Sequence, residues 1–256
     1  MPTLGFIGSG NIGSRIARLA VAAGIDVVMS NSRGPETLKD TVAALGERAG
    51  GATPEEAARV GDWVVVSVPL AAYRQLPAAA LAGRTVLDTT NYYPFRDGHF
   101  PELDADRTTS SELVQAHLRG AHVVKAFNSI GEQHIAALAR PSGAADRSAL
   151  PIAGDAPEAK AEAAALIDRL GFDTVDAGPL AESWRFEPET APYVMPYFRD
   201  PEAFARSVAE LGEELRTSGS VRGARPVDAG APLPAGRLAT LLDESTRKPT
   251  ASRVMR

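Results

Sequence analysis

The hexapeptide Gly8-Ser9-Gly10-Asn11-Ile12-Gly13 stands between an apolar run, Leu4-Gly5-Phe6-Ile7, and a stretch from Ile12 to Ala23. That stretch places apolar residues at Ile12, Ile16, Leu19, Ala20 and Ala23, one face of a helix. Glycines at this spacing have three separate tasks on a strand-to-helix turn. The first permits the tight turn, the second lets a ligand's phosphates reach the backbone, and the third lets helix and strand pack closely. The helix N-terminus adds unpaired N–H groups and a partial positive charge. The pattern therefore predicts a βαβ unit that holds a dinucleotide, the alternative being a glycine turn without a ligand.

Strand-like and helical periods alternate beyond it. Gly24 is placed to end the first helix in a left-handed turn. Asp26 to Met29 reads as a strand and Glu36 to Leu45 as a helix, and Thr53-Pro54-Glu55-Glu56 is a capping box with proline at the first helical position. Asp62 to Val68 is nearly all apolar, as a parallel strand covered on both faces requires. Thr85 to Asp88 and His122 to Phe127 read as further strands. A helix is expected from Asp155-Ala156-Pro157-Glu158 to Leu170, stopped by Gly171, and a last strand from Phe172 to Asp176.

This alternation predicts an α/β, Rossmann-type, doubly wound and mostly parallel sheet over residues 1–180, with a C-terminal helical and irregular extension. Residues 181–216 form an aromatic and helical segment, including a helix from Pro201 to Leu215 whose Glu210 to Arg216 stretch reads as a solvated face. Residues 217–256 read as a Gly/Pro/Arg-rich tail, an arm or linker with one helical patch near Arg237 to Leu242.

About 20 residues beyond the glycine loop, an NAD site places an acid on the ribose 2′-hydroxyl. Here Ser30-Asn31-Ser32-Arg33 occupies that place, with no acid before Glu36. Two hydroxyls, an amide and a guanidinium suit a 2′-phosphate, so NADP (NADPH) is the expected cofactor; a solvated, capped turn is the other reading. Ligands in doubly wound sheets lie beyond the carboxyl ends of the strands. Val68-Pro69-Leu70, Thr89-Thr90-Asn91 and Ala126-Phe127-Asn128-Ser129 should then line the nicotinamide half. Asn91 and Asn128 either meet its carboxamide or stabilise their own turns.

The cofactor-binding set expected on these grounds is Gly8, Ser9, Gly10, Asn11, Ile12, Ser30, Asn31, Ser32, Arg33, Val68, Pro69, Leu70, Asn91, Phe127 and Asn128. With no cysteine, disulfides, thiol nucleophiles and thiolate metal sites are excluded. The four histidines, His99, His117, His122 and His134, share no ligand spacing, so no metal is expected. A net charge of -5 argues against nucleic acid, and no apolar run is long enough for a membrane span. The opening Met1-Pro2-Thr3 lacks a signal-peptide pattern, and a cytoplasmic location is expected.

On Gly8 to Gly13, Ser30 to Arg33, Ser67-Val68-Pro69 and above all Val175-Asp176-Ala177-Gly178-Pro179-Leu180, the chain resembles the NADP oxidoreductases that use the 8-hydroxy-5-deazaflavin coenzyme. The resemblance covers about residues 3–195. Lys125-Ala126-Phe127-Asn128 is similar to a segment of the reductase domains of membrane metalloreductases. The resemblance implies direct hydride transfer between NADPH and a deazaflavin or flavin-type co-substrate, which needs two rings held at close range rather than a strong acid or base. No catalytic residue is assigned.

Other readings stay open. A carbonyl, imine or ferric–flavin reductase would need an acid, for which Tyr193 or His134 are the candidates. A sensor binding NADP without turnover would use the tail as its partner-binding arm. Trp184, Phe186, Tyr193, Met195 and Tyr197 read either as the wall on which a second ring stacks or as packing in a homodimer. Asp176 reads as a general acid or, more commonly for a strand-end carboxylate, as a turn cap.

Overall fold

Strand β1 (Thr3–Ile7) runs into helix α1 (Asn11–Ala22), and the chain returns parallel to it as β2 (Asp26–Ser30). Burial at a helical spacing explains the helix: Gly13, Ile16, Ala17 and Ala20 lie on its buried face, and Gly24 turns the chain out of it at φ 74°. The computed structural model describes residues 1–207, 210 and 228–247. It continues through α2 (Lys39–Leu45), β3 (Ala49–Gly51), α3 (Pro54–Val60), β4 (Trp63–Val66), β5 (Thr85–Asp88), α4 (Ser110–His117) and β6 (His122–Lys125). Beyond these come α5 (Glu132–Ala137), β7 (Ala149–Gly154), α6 (Pro157–Arg169), β8 (Asp173–Asp176) and α7 (Ala235–Asp243).

The eight strands lie in the order β3-β2-β1-β4-β5-β6-β7-β8. Every pairing is parallel except β6 with β7. This is the expected Rossmann-type sheet. Val64 and Val66 point into one core layer and Val65 into the other, so the apolar run is buried on both faces. Chain order reverses between β1 and β4, and the crevice beyond their carboxyl ends is where such sheets bind ligands.

Several local expectations change. The strand read from Asp62 to Val68 spans only Trp63–Val66, and the one read to Phe127 ends at Lys125, because Phe127 takes φ 58°. Residues Pro35–Leu38 form a 3-10 turn ahead of α2. The Thr53 capping box is present on α3, and Thr109 with Glu112 makes a second one on α4.

The stretch 228–247 is packed, unlike the arm expected there. The carbonyl of Leu233 accepts from the N–H of Ala149 at 2.8 Å, and Leu238, Leu241 and Leu242 are buried in the core shared with β7. Apolar spacing on α7 gives that stretch a face to bury, which composition alone does not reveal. Residues 201–207 are helical; the expected solvated face from Glu210 to Arg216 lies, apart from 210, outside the described residues. Among the described residues no helix is long and apolar enough to cross a membrane.

Candidate functional site

The glycine loop divides into two kinds of glycine. Gly8 sits at φ 108°, and a Cβ there would stand 2.1 Å from the Ser67 carbonyl oxygen. A Cβ on Gly13 would lie 2.6 Å from the Gly8 carbonyl oxygen, so both are required by the chain's own packing. Gly10 is different. Its Cβ would meet nothing within 4 Å, at the N-cap of α1, where no side chain caps the helix. The orphan N–H groups of that first turn, with Ser9, Asn11 and Ile12 around them, thus face an open cradle fitted to an anion.

At the end of β2 the four-residue cluster has a division of labour. Ser30 is fully buried and its hydroxyl donates to the Phe6 carbonyl at 2.6 Å. It ties β2 to β1, and the 2′-phosphate role expected of it is corrected. Asn31 Nδ2 donates to Thr37 Oγ1 at 2.9 Å and to Ser9 Oγ at 3.4 Å, while its Oδ1 accepts from the Arg33 N–H at 2.8 Å. Asn31 is therefore the organiser of the turn and its link to the glycine loop. Ser32 and Arg33 project from that turn, exposed, with no side-chain partner among the described residues.

On the other side of the crevice, Val68 is half-buried and Pro69 exposed, whereas Leu70 is buried in the core. Phe127 is also core, edge-on to Phe172 with centroids 6.0 Å apart. Neither Leu70 nor Phe127 presents its side chain to a ligand, contrary to expectation, because apolar bulk at a strand end turns inward. Asn91 and Asn128 do meet, and they bond to each other: Asn128 Nδ2 donates to Asn91 Oδ1 at 3.1 Å and Asn91 Nδ2 to the Asn128 carbonyl at 2.9 Å. Asn128 Nδ2 also donates to the Phe186 carbonyl at 2.9 Å. Asn128 Oδ1 and Thr90 Oγ1 beside this clasp are buried with no hydrogen-bond partner among the described residues.

Beneath the clasp lies a residue whose place the sequence reading missed. Lys125 is fully buried, and its Nζ donates to the Thr90 carbonyl (2.9 Å), Ser110 Oγ (2.7 Å) and Ser111 Oγ (3.0 Å). Asp88 Oδ2 and Glu187 Oε1 stand 3.9 and 3.8 Å from it. A lysine closing the apolar run His122-Val123-Val124-Lys125 is the local signal; its acidic partners are remote in sequence.

The aromatic segment separates likewise. Phe186 and Tyr197 are core, with Tyr197 Oη donating to the Ala149 carbonyl at 2.9 Å; burial raises its pKa well above the phenol range. Trp184 lies under Arg185, and Met195 is exposed. Tyr193 shares a hydroxyl–hydroxyl hydrogen bond with Tyr93, which follows Asn91 by two residues. His134 is fully buried, edge-on to Phe198, with Nε2 3.3 Å from Asp228 Oδ1. Burial holds its pKa below 6.5 against the pull of Asp228, so it is a core residue and not an accessible acid. Asp176 caps its turn by accepting from the Gly178 N–H at 2.8 Å and pairs with Lys160 at 2.7 Å. Among the described residues no group of three or more His, Cys, Asp or Glu side chains is placed to hold a metal.

Residues 3–92 match the family described as NADP oxidoreductase, coenzyme F420-dependent. The hypothetical protein SMa0349 from Sinorhizobium meliloti is 32% identical, with a TM-score of 0.63 over 72% of this chain and 88% of that one. A protein of Arthrobacter sp. FB24, provisionally described as an F420-dependent NADP reductase, is 21% identical with a TM-score of 0.60, covering 86% of this chain and 96% of its own; at that identity the likeness shows the fold. Escherichia coli K-12 YjhV is 43% identical over 53 residues, 21% of this chain, and the match spans 39% of that curated relative's length.

Proposed function

The chain belongs to the NADP oxidoreductase family described as coenzyme F420-dependent, and from that premise we propose that it transfers a hydride between NADPH and a deazaflavin or flavin-like acceptor. One observation carries the cofactor half of this reading. The open cradle at Gly10 and the exposed, unpartnered Ser32 and Arg33 belong to one turn system, joined through Asn31 and Ser9.

NADPH supplies the hydride. The residues supply position: the first turn of α1 receives the pyrophosphate, and Arg33 with Ser32 the 2′-phosphate. The Asn91–Asn128 clasp, Val68 and Pro69 border the nicotinamide end. Holding two rings in a fixed approach is the main requirement of such a transfer, and a rigid clasp meets it. Mixing the protein with NADPH and deazaflavin, then with flavins, while following the reduced-nicotinamide absorbance tests this. Oxidation by one of these acceptors supports it; tight binding without oxidation by any of them overturns it.

The Tyr93–Tyr193 hydroxyl pair favours a second reading, a carbonyl or imine reductase. A phenol there is a proton carrier, which hydride addition to a carbonyl or imine requires. Tyr193→Phe separates the two readings. It lowers kcat by roughly 10²-fold or more if the tyrosine is a general acid, and leaves deazaflavin reduction nearly unchanged.

A further inference from the structure

We infer that Lys125 is a positioning residue that presets the nicotinamide end of the crevice, an inference that rests on the NADP reading above. The backbone of Thr90 is held from both sides: its N–H donates to Asp88 Oδ1 at 3.0 Å and its carbonyl accepts from Lys125 Nζ at 2.9 Å. Asn91, the next residue, is one half of the clasp. The other half, Asn128, donates to the carbonyl of Phe186, and Phe186 is followed by Glu187. Glu187 accepts from Ser110 Oγ at 2.7 Å, and Ser110 Oγ in turn accepts from Lys125. Ser111 closes the other arm, donating to Asp88 Oδ2 at 2.6 Å while accepting from Lys125.

All three Nζ hydrogens are thereby engaged, and one cation fixes both sides of the clasp. Stability does not explain the choice, since a buried ion cluster is commonly no more stabilising than a well-packed apolar side chain of the same length. Its structural effect is geometric. The loop after β5, the N-terminus of α4 and the segment at Glu187 are set relative to one another by a single group, directly below the carboxyl ends of β5 and β6. The phosphate loop follows β1 and Arg33 lies just beyond β2, and among the described residues no hydrogen bond or ion pair joins either of them to this cluster.

Two ligands separate these ends: NADPH, and 2′-phospho-ADP-ribose, which has the phosphates but no nicotinamide. For Lys125→Met the expected result is an unchanged Kd for the fragment and a Kd for NADPH raised about tenfold. Ser110→Ala, which keeps the cation and removes one of its acceptors, shifts NADPH alone in the same direction by a smaller factor, and serves if Lys125→Met does not fold. Equal weakening of both ligands in folded protein, or no change in either, overturns the inference. Failure of the unsubstituted protein to bind the fragment is a different result, and overturns the NADP reading itself.

Discussion

Asn91 and Asn128 hold each other across the carboxyl edge of the sheet, through one side chain–side chain bond of 3.1 Å and one side chain–backbone bond of 2.9 Å. The loops after β5 and β6 therefore act as one unit. Replacing Asn128 by alanine strands the Phe186 carbonyl and Asn91 Oδ1, each deprived of its donor in a half-buried or buried setting. The expected cost is about 1–3 kcal/mol of unfolding free energy, read from denaturant midpoints. Hydride transfer should fall further than NADPH affinity does, since alignment is lost before phosphate contacts are.

The two kinds of glycine give opposite expectations. Gly10→Ala places a methyl group in the open cradle, so stability should change by less than about 1 kcal/mol while NADPH binding weakens. Gly13→Ala forces a Cβ to within 2.6 Å of the Gly8 carbonyl and should destabilise the fold outright. Thermal unfolding and NADPH titration of both variants check the pair.

Arg33 is the residue on which cofactor choice turns. One charge-assisted hydrogen bond is worth about 1.5–3 kcal/mol, so Arg33→Ala should weaken NADPH roughly 10- to 100-fold and leave NADH unaffected. Equal weakening of both nucleotides, or of neither, would remove the 2′-phosphate assignment.

His134 gives the fold a defined pH response. Burial lowers its folded pKa below 6.5, so on acidification the unfolded chain takes up this proton first. Stability from this site is complete above 6.5 and declines as pH falls through that value toward the lower folded one. One proton limits the slope to about 1.4 kcal/mol per pH unit. Denaturant midpoints measured across that window should show the decline in the native protein, and a shallower one in His134→Asn.

Much of the first half was legible because its signals are local. The glycine loop, the Thr53 box and the apolar run from Asp62 to Val68, of which Trp63–Val66 forms the strand, each carry their instructions within a few residues. Two strands were not. β3 is Ala49-Gly50-Gly51, with no β-branched side chain, and β7 carries Pro151, which reads as a strand breaker. Pro151 is tolerated because β7 pairs with β6 only at Ala153 and Gly154, leaving its missing N–H outside that ladder. In the site, residue types were legible but directions were not. Ser30, Leu70 and Phe127 stand at the right strand ends and turn inward, and Lys125 finds partners at Asp88 and Glu187 that only the folded sheet brings near.

Hydride transfer from NADPH is the claim on which the rest depends, and the reduced-nicotinamide absorbance reads it directly. With deazaflavin or a flavin in excess over NADPH, the expected result is steady loss of that absorbance, slowed roughly 10- to 100-fold when NADH replaces NADPH at the same sub-saturating concentration. Saturable NADPH binding with no loss of absorbance in the presence of any of these acceptors would contradict it.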